Sequence, residues 1–250
     1  MSNKAEMTRD HYGWLWTQKE HWPQIEGIQT RIKKTIHEVK GKKVLDCGSG
    51  QGLAPIAFSR LGADSVISLD FSDKCVKQGQ EFCRQYEIKN VQYIQADLLD
   101  DLPVPFDFDI IHSHGVLHHT MDCKKAFFNI AKHAKPGDSE IYVSLYWKTW
   151  FSVFWPHICV LYQKSPSFAK RIFDLILRLS LSLYDSIRGI KKHDTIIEDI
   201  HDWFGVPQRT YHSPEELSNW MIEAGFEPKI VIYKNGRFKF SSLFGVTGSR

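Results

Sequence analysis

The stretch VLDCGSGQG, residues 44–52, sets an acid, Asp46, just ahead of three alternating glycines, Gly48, Gly50 and Gly52. Glycine tolerates positive φ and leaves the backbone bare, so a ligand can approach the chain closely there. Two further acids stand at comparable places, Asp70 in SLDFS and Asp97 in IQADLL, each closing a short run of strand-forming residues. A glycine-rich turn from strand to helix, flanked by carboxylates, is a site of the nucleotide-binding kind at the carboxyl edge of a sheet. Histidines add proton chemistry. His118 and His119 follow FDIIHSHGVL, and His201 lies in a polar stretch with Asp202 and Tyr211. An imidazole at the catalytic edge is a candidate general base for a hydroxyl or amine, with packing inside a loop as the alternative. His112, His114, His118 and His119 lack the spacing of a metal site, because the last two lie beyond a glycine turn and no Cys or Asp set accompanies them. No metal is expected.

Those residues need elements to hold them. KKVLDCG, SVISLD, VQYIQAD, FDIIHSH and EIYVSLY read as buried strands, separated by the helical segments LAPIAFSRLG, SDKCVKQGQEFCRQY and CKKAFFNIAKHA. Ser72 stands at an N-cap position. Residues 11–40 read as one helix, with Ile25, Ile28, Ile32, Ile36 and Val39 at spacings of three and four and Gly41 at its end. Strand and helix in alternation predict repeated βαβ units around a parallel sheet. The rhythm breaks after Tyr146 and resumes with helical SPEELSNWMIEAG, then EPKIVIYK and SLFGVTG.

The dinucleotide fingerprint would place its third glycine at position 53, where Leu53 stands. Asp-x-Gly-x-Gly-x-Gly instead resembles the first motif of the class I S-adenosylmethionine (SAM)-dependent methyltransferases, and FDIIHSHGVLHHT and AKHAKPGDSEIYVSLY resemble their later segments. The resemblance covers roughly residues 40–146 and is nearest the ubiquinone/menaquinone C-methyltransferase branch. Asp138 stands where a second glycine is common. It implies a Rossmann-like three-layer α/β sandwich with a seven-stranded, mostly parallel sheet, an antiparallel last strand and a helical cap. It implies SAM as cofactor and S-adenosylhomocysteine as product. Asp46, beside the bare N–H groups of the loop, would meet the ammonium and carboxylate. Asp70 would accept the ribose hydroxyls, Phe71 would lie against adenine and Asp97 would accept its amino group. Ser49, Leu98 and Ser113 complete the implied cofactor contacts. Substrate would meet Tyr12, Trp14, Trp16, Tyr146, Trp147, Trp203 and Tyr211. The chain divides accordingly into an N-terminal helical lid (1–40), the SAM-binding core (41–146), a helical insertion (147–212) and a C-terminal helix with strands completing the sheet (213–250).

Bulk properties fit this reading. A net charge of +3 is mildly basic, and no Asn-Pro-Pro-Tyr-like motif follows the fourth strand, so nucleic acid is not the expected partner. The five cysteines include no Cys-x-x-Cys pair, which suits a reducing cytoplasm, and the first ten residues lack a signal-peptide core. The uncharged run Thr149–Gln163 is too short to span a bilayer. The expected activity is methyl transfer to an O, N or C nucleophile of a small molecule; the alternative is a non-catalytic module that binds a protein partner or a membrane. Residues 151–192 carry seven Lys/Arg against two Asp, a net +5, and place Phe168, Ile172, Leu175, Leu179 and Leu183 on one stripe. Two readings follow: a substrate cap whose stripe packs on the helices of the sheet, or a surface helix drawn to anionic lipid. Asp174 and the aromatic run before it favour the cap. The sequence does not bear on oligomeric state.

Overall fold

The computed structural model describes residues 3–18, 25–188, 200, 204–235 and 243–250. Its centre is a seven-stranded sheet in the order β3-β2-β1-β4-β5-β7-β6. The strands are β1 (Lys43–Cys47), β2 (Ser65–Asp70), β3 (Val91–Gln95), β4 (Ile110–His114), β5 (Glu140–Tyr146), β6 (Glu227–Asn235) and β7 (Leu243–Ser249). The first five pair in parallel, and β7 runs antiparallel to both β5 and β6. Every strand read from the sequence is present, and the antiparallel β7 matches the implied topology. The order reverses between β1 and β4, so the carboxyl ends of these two strands open the crevice where an α/β sheet binds its ligand.

Helices cover both faces. On one side α2 (Ile25–Thr35), α3 (Leu53–Arg60) and α4 (Asp73–Gln85) bury Ile28, Ile32, Ile56, Phe58 and Phe82 against Val44 and Ile110. On the other, α5 (Cys123–Ala131) and the helix Pro214–Glu223 bury Phe127, Ile130, Leu217 and Met221 against Leu45 and Ile111. Val44 and Leu45 thus feed opposite cores, as strand alternation requires. Each fully buried Leu or Ile contributes about 1.5–3 kcal/mol. The single helix expected over 11–40 is two, α1 (Asn3–Gln18) and α2. Of the spaced residues, Ile25, Ile28 and Ile32 lie in α2, which ends at Thr35 rather than at Gly41, so Ile36 and Val39 follow the helix while still joining the same core; α1 carries the N-terminal aromatics and begins at Asn3. Ser213 caps the Pro214–Glu223 helix by accepting from the Glu216 N–H, but the Ser72 side chain makes no such bond for α4.

The insertion holds α6 (Trp155–Lys164) and α7 (Ser167–Arg188), around a small core of Trp155, Tyr162, Leu181, Ile200 and Phe204. The helix after α7, Pro214–Glu223, is α8. Expected packing of the 168–183 stripe on the sheet's helices is not what forms. Phe168, Ile172, Leu175, Leu179 and Leu183 all lie exposed. α7 docks through its other side: Tyr162 Oη donates to Asp174 at 2.9 Å, Lys170 Nζ donates to the Gln163 carbonyl at 2.8 Å, and Leu181 fills the small core. Among the described residues, no helix is long and apolar enough to cross a membrane.

Candidate active site

β1 ends at Cys47, and six residues later the chain is already in α3. Gly48 has φ +97°, and a Cβ there would run into the Val116 side chain. Gly52, at φ +83°, caps α3 from the left-handed region, and a Cβ on it would come within 2.9 Å of the Gly79 Cα in α4. Tyr93 Oη clamps the same point, donating to the Gly52 carbonyl at 2.5 Å. These contacts set the loop low against β2 and α4.

The loop amides are not the bare donors that the sequence suggested. Gly48 and Ser49 both donate to the Leu69 carbonyl, at 2.7 and 3.1 Å, and Gly52 donates to Ser49 at 2.7 Å. Gly50 donates to Asp70 Oδ2 at 2.9 Å. Buried N–H groups must be paired, and here β2 and the loop itself pair them. What the loop supplies to a ligand is absence of bulk.

Parallel register explains the acid cluster. Asp46 pairs with Ser68 of β2 and His112 of β4, so all three point to one face at one level. Ser68 Oγ donates to Asp46 Oδ2 at 2.8 Å, and His112 Nδ1 lies 2.6 Å from Asp46 Oδ1. Both carboxylate oxygens are therefore engaged within the fold. Asp70 accepts from Ser72 N–H at 2.8 Å and from Gly50. Burial pushes its carboxyl up to about 6, against the opposing pull of those two amides. Asp97 accepts from the Leu99 N–H at 2.9 Å and so closes a turn while still facing the cavity.

A cavity of about 410 Å³ opens above the loop. Its wall brings together the expected residues Asp46, Gly48, Ser49, Gly50, Asp70 and Phe71 with Asp97 and Leu98. Tyr12 and Trp16 of α1 roof it, and His118, His119 and Tyr146 close the far side. Five expected residues stand off the wall. Gly52 faces α4 instead. Ser113 is fully buried and donates to the Cys47 carbonyl at 3.0 Å, because alternation along β4 turns it away from the face shared by His112 and His114. Trp14 is largely exposed on α1, Trp147 packs against the sheet core, and Tyr211 packs toward the insertion core. His201 and Trp203 lie outside the described residues.

Tyr12 and His119 form the most reactive-looking pair on the wall. Tyr12 Oη sits 2.7 Å from His119 Nε2, and His119 Nδ1 sits 2.9 Å from the Gln208 carbonyl. A carbonyl can only accept, so Nδ1 carries the hydrogen. Burial, followed by the charge of Arg209, lowers the His119 pKa well below the ordinary range, which keeps the ring neutral. Nε2 then accepts from the Tyr12 hydroxyl. His118 is held differently: its Nδ1 accepts from the Tyr146 N–H at 3.3 Å, and it too is kept neutral by burial. Among the described residues, no group of three or more His, Cys, Asp or Glu converges to hold a metal ion.

Sequence reasoning missed Arg9, Arg31, His112 and Gln208. Arg9 covers the Phe71 ring at 5.6 Å, and Arg31 lines the cavity from α2. His112 was legible in principle, as the residue level with Asp46 on the adjoining strand. Gln208 acts through its backbone and leaves no side-chain signal.

A sheet of this order, with a glycine loop after β1 and acids at the ends of β1, β2 and β3, defines a class. Residues 44–137 also match the family model described as a methyltransferase domain. Over that segment the chain carries a methyltransferase domain and is similar to members of the class I SAM-dependent methyltransferase superfamily. The chain is 27% identical over 195 residues to the ubiquinone/menaquinone biosynthesis C-methyltransferase UbiE of Vibrio vulnificus, covering 75% of this chain and 65% of that protein. It is 38% identical over 69 residues to the ribosomal protein L11 methyltransferase of Lactobacillus gasseri, covering 28% of this chain and 22% of that one. The chain thus spans less than two thirds of the length of either relative. In structure it is similar to the magnesium protoporphyrin IX methyltransferase ChlM of Synechocystis PCC 6803 with bound SAM. The TM-score is 0.62 at 12% identity, over 100% of this chain and 98% of that one, a likeness of fold.

Proposed function

We propose that the chain binds SAM over the glycine loop and transfers its methyl group to a small-molecule acceptor held under α1. One observation carries this reading: a single cavity wall holds the Gly48–Gly50 loop, Asp70 and Asp97 together with the Tyr12–His119 pair. Asp70 keeps acceptor capacity for ribose hydroxyls beyond its two amide bonds, since a carboxylate has about four lone-pair sites. Phe71 and Asp97 would flank the base. Asp46 and Arg31 supply opposite charges on the wall, matching the ammonium and carboxylate of the amino-acid end. Asp46 acts there through its field, because Ser68 and His112 already hold its oxygens.

Bound SAM supplies a methyl group already activated by positive sulfur, so the protein's task is alignment, exclusion of water and removal of a proton. Tyr12 can take the acceptor's proton on oxygen while passing its own to His119 Nε2. The positive charge leaving sulfur is then replaced by one on imidazole, and the net charge of the cavity is unchanged. This suits an acceptor whose O, N or activated C atom carries a proton to lose.

Calorimetry tests the binding half. SAM and S-adenosylhomocysteine should each titrate to one site, and Asp70→Asn should weaken both by roughly tenfold or more, the loss of a charge-assisted hydrogen bond. No heat with either compound, alongside clean titration of a dinucleotide, would overturn the proposal. Release of S-adenosylhomocysteine across a panel of phenols, amines and quinols then tests transfer.

A further inference from the structure

α7 faces outward with its apolar side. Phe168, Ile172, Leu175, Leu179 and Leu183 recur at spacings of four and three and are between 54% and 69% exposed. Ile176 and Ile187 widen the stripe. Monomeric soluble proteins seldom leave so continuous an apolar strip in water. Arg171 and Arg178, seven residues apart and both exposed, run along one edge of it. Of the helix's two acids, Asp174 is turned inward to Tyr162. The surrounding segment, 151–192, holds the net +5. In the same segment, Trp150, Phe154 just ahead of α6, and Ile158 and Leu161 of α6 are exposed as well.

We infer that α7 lies flat on an anionic lipid surface, with its leucine stripe at the acyl boundary and its arginines at the level of the phosphates. Charge decides the occupant. A second copy of the chain would bring the same excess of arginine across the seam, whereas an anionic bilayer meets it with opposite charge along the whole length of the helix. The contact is interfacial, since no described helix can span. It stands apart from the catalytic reading, because none of the stripe residues lines the cavity.

Vesicle flotation tests it, with phosphatidylcholine alone against phosphatidylcholine mixed in equal parts with phosphatidylglycerol. The chain should float with the anionic vesicles at low salt and be released at high salt. Combined Leu175→Ser, Leu179→Ser and Leu183→Ser should cut flotation roughly tenfold or more, with an unchanged melting temperature as the control for folding. Combined Arg171→Glu and Arg178→Glu should cut binding to anionic vesicles roughly tenfold while leaving the weak binding to phosphatidylcholine as it was. Absence of flotation at low salt by a folded chain overturns the inference. So does a dimer in sedimentation velocity that Leu179→Ser dissolves while vesicles capture nothing; the face would then be a self-interface.

Discussion

At the scale of single residues, two groups should govern how the site responds to solution conditions and to substitution. Asp70 titrates at about 6, above its ordinary 3.8, because burial disfavours its charge. In the proposed binding mode, ionised Asp70 is the form that would accept ribose hydroxyls, so affinity for S-adenosylhomocysteine should be full above about pH 7 and fall by up to about tenfold per pH unit below 6. The fold itself responds in the other direction. Between pH 3.8 and about 6 the native Asp70 retains a proton that the unfolded chain has released, so its contribution to stability declines as pH rises through that window. Calorimetric titrations at pH 5, 6 and 7.5, paired with melting curves, separate the two effects. His119 carries the second prediction. His119→Ala should lower kcat roughly a hundredfold, the usual scale of a lost general base, with little change in S-adenosylhomocysteine affinity. Tyr12→Phe should fall in the same direction while preserving the ring contact with Trp16. Equal loss of binding and turnover in both variants would reduce the pair to a structural role.

At the scale of elements, the glycine loop is held from outside the cavity. Gly52 in the loop, Gly79 in α4 and the Tyr93 ring of β3 meet at one point. A Cβ on Gly79 would collide with the Tyr93 ring, and Tyr93 is what grips the Gly52 carbonyl. Gly79→Ala should therefore destabilise by about 1–3 kcal/mol, the range for overpacking a filled core. It should also weaken cofactor binding, although residue 79 is off the cavity wall. Thermal melts and calorimetry on the same sample check both halves; a variant with unaltered melting temperature and affinity would show that α4 does not position the loop. Tyr93 is buried deeply enough that its phenol pKa is raised, so the clamp persists across ordinary pH.

At the scale of the whole molecule, a charge-lined cavity and an outward apolar helix follow opposite logic. The core turns its apolar groups inward, on both faces of the sheet, whereas α7 turns Asp174, Lys170 and Leu181 inward and leaves Leu175, Leu179 and Leu183 exposed. Substitutions along that stripe should consequently shift stability by no more than about 0.5 kcal/mol, as for surface positions elsewhere, measured by urea unfolding of the Leu175→Ser, Leu179→Ser, Leu183→Ser variant. A loss of several kcal/mol would mean that the stripe is packed in solution. α1 makes the complementary statement. It roofs the cavity with Tyr12 and Trp16 and packs on α4, joining the site to the outer layer of helices.

The amino-acid sequence determined the strands, their parallel order and the acids at their carboxyl ends, because period, punctuation and glycine are local signals that one chain segment carries by itself. Asp46, Asp70 and Asp97 were legible for that reason. Tertiary structure alone decided which partners those acids take, that the loop amides turn onto β2, and that Ser113 faces away from the cavity. It also decided that Tyr12, Gln208 and His119 meet across roughly the length of the chain, and that α7 shows its apolar side to solvent. Each of these depends on which side of an element its neighbours occupy. An amphipathic pattern states that a helix has two faces; only the packing around it settles which one is turned inward.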